Sequence, residues 1–598
     1  MRMRYSRFSL GLLVSSLATR AFAFGNVPVV FPVALTWGKG SPDGFERDMI
    51  FVNGQMPGPT LNLEEGDDVE FIVTNWLPFG TTVHFHGIEQ INTPWSDGMP
   101  GLSQRLIEPG ATFKYKWTAT QYGTYWYHAH SRGQLEDGLF GAIHIKPKEN
   151  TSTPFSLISK STKDVNDMEL AAANPEIAVM SDWSHFTSEE LQHIAETADI
   201  DIFCGDSMLI NGKGNVNCPG VPFLMSVLPP IVLPLLAGEN LTDKGCVPVT
   251  VGQPPFPKNL NAVPSNLYEG CKATNTGPYV FNVDASKGWV SLNFISTAAI
   301  QEMAVSIDEH PMWVYEIDGR FIEPQMVDAI TLQHGSRHSV MVELNKPAKD
   351  YHIRVAGTGL GQKIYVSGLL SYNRGTKNSN SQPYINYAGT NTTADVTYLD
   401  DTTIVPFPPV HPAQTADQTY KLVMGRAGYS WQWSLDGTAP YNESLEDITP
   451  LLFDPNQLAN TNLTITTKND TWVDLIYIVN TAGGPEPPHP IHKHSNKAHI
   501  IGSGQGDFTW TNVAEAIKDI PESFNLDNPP YRDMAYTLLA LADPTWVAVR
   551  YHVVNPGAFF LHCHIQTHLT GGMSVAILDG IDAWPKVPAE YQQGRNGF

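Results

Sequence analysis

His562-Cys563-His564, followed by His568 and Met573, sets one thiol between two imidazoles near the end of a 598-residue chain. A thiolate, two imidazoles and a weak axial thioether make the trigonal electron-transfer site of blue copper. Cys563, His568 and Met573 supply three of those four ligands. If residues 557–564 form a strand, successive side chains alternate faces, so Cys563 points one way and its flanking histidines the other. One strand then serves two metal sites.

The fourth ligand lies upstream in His489-Pro490-Ile491-His492-Lys493-His494, where Pro490 offsets His489 from an alternating pair. We assign His489 to the blue site. Two further pairs stand near the start of the chain, His84-Phe85-His86 and His128-Ala129-His130. A single His-x-His pair is usually an ordinary polar strand. Here four pairs, the last split by a cysteine, hold with their neighbours half of the chain's 20 histidines. That concentration points to redox copper.

Short runs rich in β-formers must carry these ligands. Val69–Val73, Phe113–Trp117 and Gly141–Ile145 alternate or run apolar between Gly, Pro and Asn punctuation, the pattern of β-sandwiches or barrels. The length suggests several domains. The 42% hydrophobic and 16% charged residues provide material for packed cores. A formal net charge of −23, without a dense basic patch, excludes nucleic acid as a partner.

The four motifs, in this order, resemble the copper signature of the multicopper oxidases. Leu209–Gly214, Gly288–Phe294 and His310–Glu316 look most like ascomycete laccases of the conidial-pigment and aromatic-polyketide type. The resemblance implies an all-β chain of three consecutive cupredoxin-like Greek-key barrels. A signal peptide would occupy 1–23, and the first barrel 24–150. The second, at 151–375, would be a spacer with a disulfide-containing insertion. An exposed linker at 376–418, rich in Asn, Thr, Pro and Ser, would lead to the third barrel at 419–598.

Four coppers are also implied. His489, Cys563 and His568, with Met573 axial, match the type 1 ligands, and His84 and His492 the type 2 ligands. His86, His128 and His564 match one type 3 ion, and His130, His494 and His562 the other. Phe85 and Ala129 stand where the family usually has Trp and Ser. Gln566 stands where many relatives keep an acid. Asp97 matches the family's other acid near the trinuclear site and is expected to supply protons. The ending Arg595-Asn596-Gly597-Phe598 lacks the plug common in ascomycete laccases.

Arg2, Arg4 and Arg7, an apolar run from Phe8 to Leu17 and Ala21-Phe22-Ala23 read as a cleaved secretory signal, too short to span a bilayer. Secretion to the medium or cell wall follows. Cys204, Cys218, Cys246 and Cys271 would then form two disulfides, with three connectivities open. Sequons at Asn150, Asn240, Asn391, Asn442, Asn462 and Asn469 fit that compartment. The apolar, proline-broken stretch 221–237 reads as a buried loop tied down between Cys218 and Cys246. A flap at the substrate mouth, or a surface for an auxiliary protein, is the alternative.

The reaction read from these features joins one-electron oxidation of small phenols to reduction of O2 to water. The family likeness makes the donors polyketide naphthols or naphthopyrones whose radicals couple into pigment. Met573 as axial ligand favours easily oxidised donors. Glu302 is the candidate phenol-orienting acid beside His568, and His499 is read as structural. A monomer is expected. The rivals are a metallo-oxidase of ferroxidase type, a general aminophenol oxidase and a copper carrier without turnover. Among carboxylates near His489, Glu486 alone would suit a metal-ion donor.

Overall fold

The computed structural model describes residues 27–373, 380–437, 439–458, 461–481 and 484–592. The signal peptide, the start of the expected linker and Arg595–Phe598 lie outside these residues. The expected alternation is present: Asp68–Trp76 turns Val69, Phe71 and Val73 inward, and Thr112–Thr118 buries Tyr115 and Trp117. Phe140–Lys146, apolar before its final lysine except at His144, is buried along all but its last residue, as befits a strand covered on both faces.

Six sheets arise in three pairs. Strands between Val29 and Lys146 make two four-stranded sheets, those between Glu176 and Tyr372 a seven- and a five-stranded sheet, and those between Gln418 and Asp579 a six- and a five-stranded sheet. Strands distant in sequence lie side by side, as when Val29–Gly40 runs parallel to Asp68–Trp76 and Gly58–Glu64 parallel to Phe140–Lys146. Such non-sequential pairing is how Greek-key barrels close. Each pair encloses its own apolar core.

Two further cores join the pairs. Trp126, Leu135 and Phe140 pack on Val179 and Ile295, and Met99 and Leu102 on Tyr441, Phe560 and Leu578. Residues 380–418, expected as an exposed linker, are laid against the middle sheets with Ile385, Ala388 and Ile404 buried. Their polar composition hid the few apolar anchors that fix the strap.

The disulfides are Cys204–Cys246 and Cys218–Cys271. The bridge at Cys218 closes a separation of 53 residues. Replacing Cys218 and Cys271 together by alanine should cost about 4 kcal/mol through lost loop-closure restraint. The check is the thermal midpoint with and without reductant; an unmoved midpoint would count against that value. All six sequon asparagines are exposed.

The stretch 221–237 is not a wholly buried loop. It forms the short helix Val221–Ser226 and a 3-10 segment Pro230–Leu236. Leu224, Val232 and Leu236 face inward, while Phe223, Ile231 and Leu233 are 42–50% exposed. Prolines forced short helical turns, which turned an even apolar composition into two faces. Among the described residues no helix is long and apolar enough to cross a membrane.

Candidate metal centre

Val83–His86 pairs antiparallel with Gly123–Ala129, setting His84 opposite His128. Pro490–Lys493 pairs in the same sense with Gly557–Cys563, setting His492 opposite His562 and Ile491 opposite Cys563. The first strand pair belongs to the first sheets and the second to the third sheets. They meet face to face: the rings of His84 and His494 stack at 3.7 Å and those of His86 and His492 at 3.8 Å. Neither half could build this cluster alone.

Eight histidines converge there, 84, 86, 128, 130, 492, 494, 562 and 564, all buried. In five of them Nδ1 is tied back to the protein. Nδ1 of His84 bonds the Asp97 carbonyl at 2.6 Å, His128 the Ala129 carbonyl at 2.8 Å, His492 the Asp533 carbonyl at 2.9 Å and His562 the Cys563 carbonyl at 2.9 Å. His494 Nδ1 bonds the Asp97 carboxylate at 2.8 Å. Such contacts fix ring orientation and tautomer.

The inward nitrogens have no such partners. Nε2 of His84, His86, His128, His492 and His564 is buried without a hydrogen bond. Nε2 of His562 faces only Nε2 of His130 at 3.4 Å and of His494 at 3.3 Å. Buried polar atoms are rarely left unsatisfied, so this focus of imidazole lone pairs fits a bound cation. Burial and neighbouring histidines hold His86, His130, His492, His494 and His564 far below the usual imidazole range, so they stay neutral and ready to ligate.

On the opposite face of the strand, Cys563 Sγ lies 3.8 Å from His489 Nδ1 and 3.7 Å from His568 Nδ1, and the two nitrogens are 3.2 Å apart. These separations suit one ion bonded to each at about 2 Å. Met573 is buried in the same apolar core, and its carbonyl accepts from the Cys563 N–H at 3.0 Å. Burial raises the thiol pKa, so a cation must hold the sulfur as thiolate. The short helix Gln566–Thr570 carries His568, whose ring lies 4.0 Å from Trp433.

Glu302, the expected acid, accepts from the Thr358 hydroxyl at 2.9 Å. Asp201 is the carboxylate at His568, with Oδ2 3.7 Å from Nε2. It sits on the loop after helix Ser188–Ala198, which Ser430 anchors by donating its N–H to Asp199. Burial would raise the Asp201 pKa, but Arg426 and His568 outweigh it and keep the carboxyl below its usual range. Arg426 bonds Asp201 at 3.2 Å, lies 3.6 Å from Glu486 and covers Trp433 at 3.9 Å.

Asp201 and Asp533 stand on loops with no local motif, so only three-dimensional proximity reveals them. His499 lies away from both clusters, packed between Trp472 and Tyr531. Phe85 packs on Phe71, Tyr115 and Trp117 in the first core, and Ala129 is buried there too. Gln566 donates its amide to the Arg132 carbonyl at 3.2 Å.

Three barrels sharing a thiolate–imidazole site and an eight-histidine cluster define a copper oxidase. Family profiles described as multicopper oxidase match residues 34–150, 176–375 and 433–582. The chain is 46% identical over 571 residues to "Laccase abr2" of Aspergillus fumigatus, covering 94% of this chain and 96% of that one. It is 41% identical to "Laccase-1" of Emericella nidulans, covering 92% and 95%. The chain belongs to the multicopper oxidase family and is of the ascomycete laccase type.

Two solved structures share the fold. The laccase from Botrytis aclada has a TM-score of 0.67 at 23% identity, covering 94% of this chain and 89% of that one. Fet3p, titled a multicopper oxidase that functions in iron import, has a TM-score of 0.64 at 22% identity, covering 95% and 93%. The cofactor is four copper ions, and the enzyme oxidises phenolic donors with O2.

Proposed function

We propose that this enzyme is a secreted laccase for fused-ring phenols of polyketide type, whose radicals couple in pigment or secondary-metabolite synthesis. The carrying observation is Asp201 at the edge of His568. It lines a small cavity of about 20 Å3 with the apolar Leu191, Ala195, Ile200, Ile202 and Trp431 and the polar Glu136, Gln192, Thr567 and Thr570. The apolar side chains beside the acid suit a flat ring resting over the rim of this cavity, and the carboxylate can accept the hydrogen bond of its hydroxyl. Two disulfides and six exposed sequons support secretion.

The ligand roles proposed are His489, Cys563, His568 and axial Met573 for type 1 copper, and His84 with His492 for type 2. His86, His128 and His564 would hold one type 3 ion, and His130, His494 and His562 the other. Bound copper supplies one-electron redox chemistry at the first site and four-electron reduction of O2 at the cluster. Cys563 joins the two through one peptide unit on each side, to His562 and His564. Asp97 holds His84 and His494 in register.

A metallo-oxidase would need acids free to bind a cation. Asp201 and Glu486 instead share the buried Arg426 guanidinium, which cancels much of their charge. Burial further pushes Glu486 up to about 7. Oxygen uptake with naphthols, aminophenols, dimethoxyphenol and ferrous iron tests the reading; a preference for iron would overturn it. Asp201→Asn should lower kcat/KM for phenols about 10-fold, the worth of one charge-assisted hydrogen bond. A tertiary aromatic amine, which has no such proton, should be spared; equal loss on both donors would remove Asp201 from substrate binding.

A further inference from the structure

Reducing one O2 to two waters consumes four protons, and they must reach a cluster whose ligands are sealed from solvent. Asp97 is itself fully buried, with Oδ2 committed to His494. Gln566 ends in an amide that cannot ionise. Beside His130, however, lies a cavity of about 40 Å3, with room for roughly two or three waters. Its lining includes His130, Tyr441, Glu446, Phe560 and Ser574. The Tyr441 hydroxyl and Ser574 Oγ are buried there without a protein partner, as expected of groups that bind water.

Glu446 ends the turn Glu443–Glu446 and is the acid at this cavity that is linked to the cluster strand. Its Oε2 accepts from the Ser131 hydroxyl at 2.7 Å and its Oε1 from the Arg132 N–H at 3.0 Å. Ser131 directly follows His130, and the Arg132 carbonyl is the one that holds Gln566. An acid therefore stands across a single residue, Arg132, from the amide. The outer side reaches solvent at Arg132 and Glu443, joined at 2.5 Å with both side chains 44% exposed, while Glu189 contacts Arg132 from helix Ser188–Ala198.

We propose that Glu446 passes protons from solvent, through the water of this cavity, to the oxygen-reducing cluster. This rests on His130, His494 and His562 belonging to that cluster. In each transfer the carboxyl O–H bond breaks and an O–H bond of product water forms. The carboxylate is reprotonated from solvent at the Arg132–Glu443 rim, and the electrons come from the phenol. The charged and titratable groups that act on or answer to Glu446 are Arg132, Glu443 and Tyr441, while His130 shares the cavity lining. Desolvation, against the bonds from Arg132 and Ser131, pushes the carboxyl up to about 7, so it holds a proton in neutral solution and can release it.

The test separates the two half-reactions of the copper-loaded enzyme. With Glu446→Gln, anaerobic bleaching of the blue band by a phenol should be unchanged, while reoxidation of the reduced enzyme by O2 should slow about 10²-fold. In the parent, reoxidation should fall as pH rises through about 7, where Glu446 loses its proton; that limb should vanish in the amide variant. Glu446→Asp should recover part of the rate and keep the limb. Infrared difference spectra of the resting enzyme should show a carboxyl band titrating near 7 that the Gln variant lacks and the Asp variant shifts.

Unchanged reoxidation in the Gln variant, or equal slowing with Gln and Asp at full copper content, would overturn the proposal. If Gln fails to hold copper, the Asp variant decides, because an unshifted infrared band would rule out Glu446 as its source. Failure of the underlying cluster assignment would look different: His130→Ala would keep full copper content.

Discussion

Cys563→Ser removes the blue absorbance and lowers phenol oxidation by at least ~10³-fold, the scale expected when one member of a catalytic unit is lost. Serine offers a hard hydroxyl in place of the soft thiolate, and the site keeps only the imidazoles of His489 and His568. The effect should be confined to that face of the strand. His562 and His564 point to the other cluster and are held by its packing and hydrogen bonds, so the variant should lose one copper per chain and retain the rest. Copper analysis with visible and electron paramagnetic spectra checks this. Persistence of the intense blue band would show that another residue provides the sulfur–copper bond.

That contrast depends on alternation along one strand, which was legible in the sequence because side-chain period in a strand is fixed. The histidine motifs were legible for the same reason: their ligands sit two apart, and the structure brings all eight cluster imidazoles together. The supporting carboxylates were not. Asp533 and Asp201 act from loops that reach the ligands only when different sheet pairs dock, and no local spacing encodes docking. Glu302 accepts from Thr358, while the carboxylate found at His568 is Asp201. The strap at 380–418 reads as an exposed linker in the sequence because its few buried apolar residues are outweighed by polar neighbours.

Docking also gives the middle sheets, expected to be a spacer, a direct hold on the histidine cluster. Gly335, at a φ of +76°, brings their backbone so close that a Cβ there would meet the His86 ring at 2.8 Å. Two residues on, Arg337 grips Asp533 with two bonds of 2.6 and 2.7 Å and donates Nε to the Thr124 carbonyl at 3.1 Å. Thr124 belongs to the first sheets, Arg337 to the second and Asp533 to the third. One buried guanidinium therefore joins all three beside the histidine cluster. Asp533 completes the link, its carbonyl on His492 and its Oδ1 3.6 Å from His86 Nε2.

Arg337→Met should therefore carry two separable costs. Burial would raise the Asp533 pKa, but Arg337 and Lys497 outweigh it and hold the carboxyl below its usual range. Without Arg337 that charge keeps only Lys497, at 3.1 Å, and the loss should be about 3–5 kcal/mol. Slackening behind His492 and His86 should lower cluster copper occupancy and turnover roughly 10–100-fold, the usual effect of removing a partner that orients a metal ligand. The blue band, formed on the other face, should survive. Adding Asp533→Leu and Lys497→Met removes both stranded charges, so the triple variant should regain much of the thermal midpoint but not the cluster copper. Recovery of both would reduce Arg337 to a structural ion pair; recovery of the midpoint alone would establish the middle barrel as part of the oxygen-reducing site.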